Sequence, residues 1–220
     1  ACDNHRAFRP GDGHARRSTA GRTMSGVSAA ANSFRRWAAT QNRSFGEWEC
    51  DYPAWSEVYA SLVQALDDGT WTDDVEDLVY LLARDNECEI VQTHLFERPE
   101  QLFAMAAAIT SSNESDARWQ LAAALGRIGT ARTWPLLSAL SADTDEYVRR
   151  RALLAMADAH HPDVERVART AWSTGEQYPQ LAALDVLCRL GVPDAPALLS
   201  EARSSPHPYL AARASKISNT

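Results

Sequence analysis

From residue 85 onward, apolar side chains recur at steps of three and four instead of alternating, which is the period of helices that bury one face. Within 116–146, Leu121, Ala124, Leu125 and Ile128 make one such face and Leu136, Leu137 and Leu140 make the next. Gly129 falls between them, placed to stop the first helix in a left-handed turn. Pro99, Pro135 and Pro196 suit the first turns of second helices, where a missing N–H costs little. Asn86 with Glu89, and Asp143 with Glu146, read as helix starts: a side-chain acceptor followed three residues on by a carboxylate. Upstream, 53–67 and 72–84 read as another helix pair, with Leu62, Leu66, Leu78, Leu81 and Leu82 as core candidates. One more helix is expected around 29–41, with Phe34 and Trp37 closing that end.

The helix pairs repeat. Tyr147, Tyr178 and Tyr209 are spaced 31 residues apart, and their surroundings align at the same offset. Apolar type recurs in the columns Ile128, Ala159, Leu190; Leu125, Met156, Leu187; Leu136, Val167, Leu198; and Ile109, Leu140, Ala171, Ala202. Units therefore start near 85, 116, 147 and 178, spanning 85–115, 116–146, 147–177 and 178–208, with a half unit at 209–220. Residues 24–84 form a divergent N-terminal helical cap, because a terminal repeat must solvate its outer face and so loses the consensus. Residues 1–23 hold five arginines and almost no large apolar side chain, and are expected to be a disordered prefix or tag, with Met24 a candidate start.

The stretch 116–129, Asp-Ala-Arg-Trp-Gln-Leu-Ala-Ala-Ala-Leu-Gly-Arg-Ile-Gly, and the stretch 145–157, Asp-Glu-Tyr-Val-Arg-Arg-Arg-Ala-Leu-Leu-Ala-Met-Ala, resemble the bacterial HEAT-like repeats, including the short kind labelled after the phycobilisome lyases. The resemblance is strong over 115–190, weaker over 85–114 and partial to 217, with Pro179-Gln180 standing where the family has Val-Arg. It implies an all-α fold, a right-handed α-solenoid of about 31-residue hairpins, with first helices on the convex side and second helices on the concave side. It also implies a common role as a protein-binding platform, and it does not imply a reaction.

Composition changes this picture at one end. Of 220 residues, 22 are basic and 29 acidic, for a net charge of −7. Residues 47–100 alone carry −13, with only Arg84 and Arg98 to offset the acids, whereas 101–220 balances. Asp67, Asp68, Asp73, Asp74, Glu76 and Asp77 are the densest part. They are the candidate contacts for a basic protein partner, beside the alternative of a merely solubilising face. Trp71, Trp134 and Trp172 fall near helix ends and are candidate anchors for that partner, while Trp119 shares a core-like column with Cys88 and Leu181. Overall acidity argues against nucleic acid, and the longest apolar run, 8 residues at 102–109, is too short to cross a membrane. Four scattered cysteines suit reduced thiols in a cytoplasm.

Candidate chemistry is thin. Abundant acids guarantee close pairs somewhere and so single out no catalytic pair. His160 and His161, with Asp158 and Asp163, bring metal-ligand types together, but adjacent histidines before Pro162 read as a loop; no metal and no cofactor is expected. Cys88 between Glu87 and Glu89 is poorly placed for a thiolate, and Gly126 to Gly129 ends a helix instead of opening one, which removes a phosphate loop. Of the arginine run 149–151, Arg149 is expected to be structural, pairing with acids at a repeat junction. The leading expectation is a non-enzymatic scaffold that binds a basic protein. The alternatives are an immunity-type inhibitor of a basic toxin, a chromophore-lyase accessory, and a HEAT-like DNA glycosylase, the last needing a basic concave face that Arg132, Arg166, Arg169 and Arg203 would have to supply.

Overall fold

The computed structural model describes residues 24–42 and 48–217; the expected disordered prefix, 1–23, lies outside the described residues. Among them every regular element is helical: α1 (Gly26–Ala38), α2 (Trp55–Asp67), α3 (Val75–Arg84), α4 (Ile90–Phe96), α5 (Pro99–Ser111), α6 (Ser115–Ile128), α7 (Trp134–Leu140), α8 (Glu146–Asp158), α9 (Val164–Ser173), α10 (Gln177–Leu190), α11 (Ala195–Arg203) and α12 (Pro208–Ile217). Short 3₁₀ turns precede α2, α3 and α7. The helix boundaries follow the sequence punctuation. Gly129 and Gly191 end α6 and α10 with φ of 65°, a conformation open to glycine at little cost, and Pro99, Pro135 and Pro196 stand in the first turns of α5, α7 and α11.

Two helix starts differ from expectation. Asn86 and Glu89 do not cap α4: Glu89 takes up a left-handed conformation with φ 54°, and the acceptor is Asp85, whose Oδ2 receives the Val91 N–H at 2.7 Å. Asn86 instead donates to Asp116. At α8 the N-cap is Asp145, which accepts from the amides of Tyr147 and Val148, while Asp143 accepts from the amide of Asp145 two residues on. Spacing alone cannot rank neighbouring acceptors; the path of the backbone decides which oxygen reaches an amide.

Helix α6 packs on α8, α8 on α10, and α10 on α12, so the first helices form a row. Each second helix sits between two of them: α7 against α6 and α8, α9 against α8 and α10, α11 against α10 and α12. A run of buried apolar side chains continues along this row, from Leu121 and Leu125 through Met156 to Leu187 and Leu210. The row is held close by Gly126, where a Cβ would come within 2.8 Å of Ala155 Cα on α8. At the other end α1 lies on α2 and α3 and seals the row with an aromatic cluster. Phe34 is fully buried there, with the rings of Tyr52, Trp55 and Trp37 at 4.9, 5.3 and 5.4 Å. Ser25 caps α1, so that helix begins three residues earlier than the sequence pattern indicated.

The turns that link successive hairpins share one construction. Ser112, Asp143, Thr174 and Ser205, each 31 residues from the next, each accept through a side-chain oxygen from the amide two residues on: Glu114, Asp145, Glu176 and His207. Such Asx and ST turns reverse the chain while satisfying an orphan amide. Arg118 and Arg149 then reach back six residues to the carbonyls of Ser112 and Asp143, closing the end of the preceding second helix, and Gln180 donates to Trp172 O in their stead at the next turn.

Candidate functional site

The acids gathered by sequence fall into two groups. Asp74 and Asp77 face inward to α1: both accept from the Ser28 hydroxyl, and Asp77 pairs with Arg35 at 2.7 Å. These two tie α1 to the start of α3 and are engaged within the fold. Asp67, Asp68, Asp73 and Glu76 are exposed, with Asp67 paired to Arg98 at 2.7 Å and Asp68 accepting from Gln64. The segment's only two arginines are both engaged, Arg84 with Glu114 and Arg98 with Asp67.

Of the three candidate anchor tryptophans one is buried and two are half-buried. Trp71 is buried in the core, which takes it out of a partner's reach. Trp134 is half-buried, its indole N–H donating to Ala159 O and its ring packed near His161. Trp172 is half-buried and packs against the core. Trp119 is buried, as its column indicated.

Among the described residues, the exposed aromatics are instead the three tyrosines that mark the repeat. Tyr147, Tyr178 and Tyr209 are 38%, 46% and 60% exposed, at the N-terminal ends of α8, α10 and α12. They continue into a ladder: Trp119 meets Tyr147 edge-on at 5.7 Å, Arg150 lies over Tyr147 and Tyr178 at 4.7 and 5.0 Å, and Tyr178 stacks on Tyr209 at 6.2 Å. Arg151 covers Trp119 on the other side. The three consecutive arginines thus point in three directions, as helical geometry requires. Arg149 is structural, but its hydrogen bonds go to the carbonyls of Asp143 and Thr144 and not to the acids expected for it. The period exposed these tyrosines in the sequence; reading them only as repeat markers concealed that a column of one polar-tipped aromatic is also a surface.

The groups weighed for chemistry are tied into the fold. His161 is buried, its Nδ1 accepting from the Asp163 amide and its Nε2 bonded to Ser138 Oγ, and no cluster of metal-ligating side chains occurs among the described residues. Asp85 is buried, and the hydroxyl of the half-buried Tyr59 donates to its Oδ1 at 2.8 Å. Burial pushes the Asp85 carboxyl up, against the lowering effect of its hydrogen bonds from Val91, Tyr59 and Ile90. Burial, together with that bond to Asp85, also pushes the Tyr59 phenol up. This pair starts α4, through the bond from the Val91 amide to Asp85. Arg132, Arg166 and Arg169 each pair with a carboxylate, on Glu100, Asp163, and Glu165 with Asp194. Phosphate contacts from those second helices would have to displace these partners.

No helix among the described residues is long and apolar enough to cross a membrane. No curated protein and no solved structure was found to match the chain. Residues 133–217 match the family model of HEAT repeats, and every regular element among the described residues is helical.

Proposed function

We propose that the protein is a non-enzymatic interaction scaffold that binds a basic protein partner through its N-terminal half. HEAT repeats commonly mediate protein–protein interaction. We read these as the short bacterial, phycobilisome-lyase-type repeats, stacked as a right-handed α-solenoid of about 31-residue hairpins; the four linking turns, spaced 31 residues apart, support that period. The observation that carries the partner's chemistry is the state of the acidic segment. Its arginines are consumed internally by Glu114 and Asp67, and Asp68, Asp73 and Glu76 stay exposed. A surface of that sign steers and orients a basic protein. An immunity-type inhibitor of a basic toxin is the sharper form of the same reading. The free Cys88 and Cys188 fit a reducing compartment, consistent with work in the cytoplasm. The test is affinity capture of partners at low and high salt, followed by titration with the purified basic candidate: affinity that falls steeply with salt supports the reading, and a partner bound equally at both salts removes the acidic face from it.

A further inference from the structure

A cavity of about 140 Å³ opens where α8, α9 and the start of α10 meet. Leu153, Val167, Ala171, Pro179 and Ala182 make its apolar wall, and Glu146 and Arg150 stand at its polar side. The repeat itself explains why there is space. Thirty-one residues earlier, the positions of Arg150, Val167, Ala171 and Pro179 are held by Trp119, Leu136, Leu140 and Val148. Thirty-one residues later they are held by Leu181, Leu198, Ala202 and Leu210. Trp119, Leu140, Val148, Leu198 and Leu210 are buried, filling the wedge between neighbouring hairpins. At the middle junction Arg150, Val167 and Pro179 differ from both neighbours, while Ala171 replaces the leucine of the preceding junction and matches Ala202 of the following one. Interiors are close-packed, and an unfilled wedge forfeits dispersion contacts on every wall. A junction that departs from both of its neighbours at such a cost marks a site.

The polar side supports this. Arg150 lies between the exposed rings of Tyr147 and Tyr178, and its Nε is 3.3 Å from Glu146 Oε1. Both of those atoms are buried without a hydrogen-bond partner, and no other contact within the described residues occupies the terminal nitrogens of Arg150. The mouth thus offers donors to a carboxylate and one acceptor to an N–H. The volume decides the size of the guest: a drug-sized ligand needs about 300 Å³ or more, and this cavity suits a single aliphatic side chain.

We propose that the pocket receives an aliphatic anchor side chain, of the size of leucine, from a peptide segment of a partner protein. A carboxylate adjoining the anchor meets Arg150, the segment's main-chain N–H meets Glu146, and Tyr147 and Tyr178 flank it. An apolar anchor in a small pocket beside aromatic and arginine side chains is the arrangement that concentrates binding energy in protein interfaces. The inference rests on the reading of the chain as a protein-binding scaffold, but it uses residues remote in sequence from the acidic segment.

The test uses amide-resolved NMR of the full chain with N-acetyl-L-leucine as probe, which carries the side chain, the carboxylate and one N–H. Saturable shifts at Thr170, Ala171 and Ala182 are expected, with N-acetyl-leucinamide about tenfold weaker because it lacks the charge-assisted contact. Ala171→Leu, which restores the residue type of the preceding junction, should abolish the shifts while leaving thermal unfolding no earlier than in the parent. Arg150→Gln should keep binding but lose the preference for acid over amide. Absence of saturable shifts, or shifts that persist in Ala171→Leu, would overturn the proposal. So would binding of free L-leucine without N-acetyl-L-leucine, which would make this an amino-acid site. None of these outcomes touches the salt-dependent capture by the acidic segment, so the two readings fail separately.

Discussion

Arg118 on α6 and Asp143 in the turn before α8 are joined by two parallel bonds, Nε to Oδ2 at 2.7 Å and Nη2 to Oδ1 at 3.1 Å, with both side chains only 10% exposed. The third arm of the arginine closes the preceding turn on Ser112 O, and the second oxygen of the aspartate builds its own turn on the Asp145 amide. One ion pair therefore welds two consecutive linking turns together. Burial alone would push the Asp143 carboxyl up, but the bonds from Arg118 and the Asp145 amide hold it below the usual carboxylate range.

The two roles of Asp143 separate by substitution. Serine stands in this column at 112 and 205 and still makes the turn, so Asp143→Ser removes the ion pair alone, whereas Asp143→Ala removes both. Leaving Arg118 buried without its partner is expected to cost about 3 kcal/mol, and loss of the turn acceptor about 1 kcal/mol more. Chemical denaturation of the three proteins measures both steps. Because the folded pKa is depressed, the contribution of Asp143 is present above its ordinary value of 3.8 and is lost as pH falls through and below it; the gap between parent and Asp143→Ser should shrink in acid.

Gly126 sits inside α6, where alanine would normally gain about 1 kcal/mol in helix propensity. Here the added Cβ would meet backbone Cα of Ala155 at 2.8 Å, and a helix backbone cannot yield as a flexible side chain can. Gly126→Ala should destabilise by about 1–3 kcal/mol net of propensity, and Gly126→Val by more. Equal or higher stability of Gly126→Ala in urea would show that α6 and α8 can separate without penalty.

Helix type and the glycine and proline stops and starts of the hairpins were readable in the sequence, because a period of three and four and the placing of Gly and Pro are properties of the chain alone. The charge map was not. Counting acids from 47 to 100 found the excess but not that Asp74 and Asp77 face Ser28 and Arg35 on α1, since those contacts link residues 42 to 49 positions apart with no repeat between them. Other partnerships were within reach: Arg98 with Asp67 and Arg189 with Asp158 are each 31 residues apart, the distance the columns already gave. Arg150 was in reach too, as the one polar residue in the column Cys88, Trp119, Arg150, Leu181. The left-handed turn at Glu89 was beyond it, because a positive φ at a non-glycine residue leaves no spacing signature.

Asp85 gives the opposite pH dependence to Asp143. Its carboxyl is raised by burial, so the folded state binds a proton more readily than the unfolded chain does. Between the ordinary value of 3.8 and the raised folded value, stability falls as pH rises, and at neutral pH the ionised group is a cost. Asp85→Asn can still accept from Val91 through its oxygen, while Tyr59 turns its hydroxyl to accept from the amide nitrogen. Relative to Asp85→Asn, the parent should gain stability as pH falls through that window. Thermal unfolding at matched pH values measures the difference, and a parent that loses ground to the variant in acid would show that hydrogen bonding outweighs burial at this carboxyl.

Charge reversal on the acidic segment must respect which acids hold the fold. Asp68→Lys, Asp73→Lys and Glu76→Lys alter exposed positions, and each should change stability by no more than about 0.5 kcal/mol. Asp77→Lys would set an ammonium against Arg35 and abandon Ser28, and it should loosen α1 from α2 and α3, seen as a loss of signal from the Phe34 and Trp37 aromatic cluster. With a basic partner, the triple exposed variant should bind at least about tenfold more weakly at low salt and nearly normally at high salt, since attraction between exposed charges is screened within a Debye length. An unchanged affinity in the triple variant, with the fold intact, would leave the acids as a solvated face and move the whole of partner binding to the tyrosine and arginine ladder.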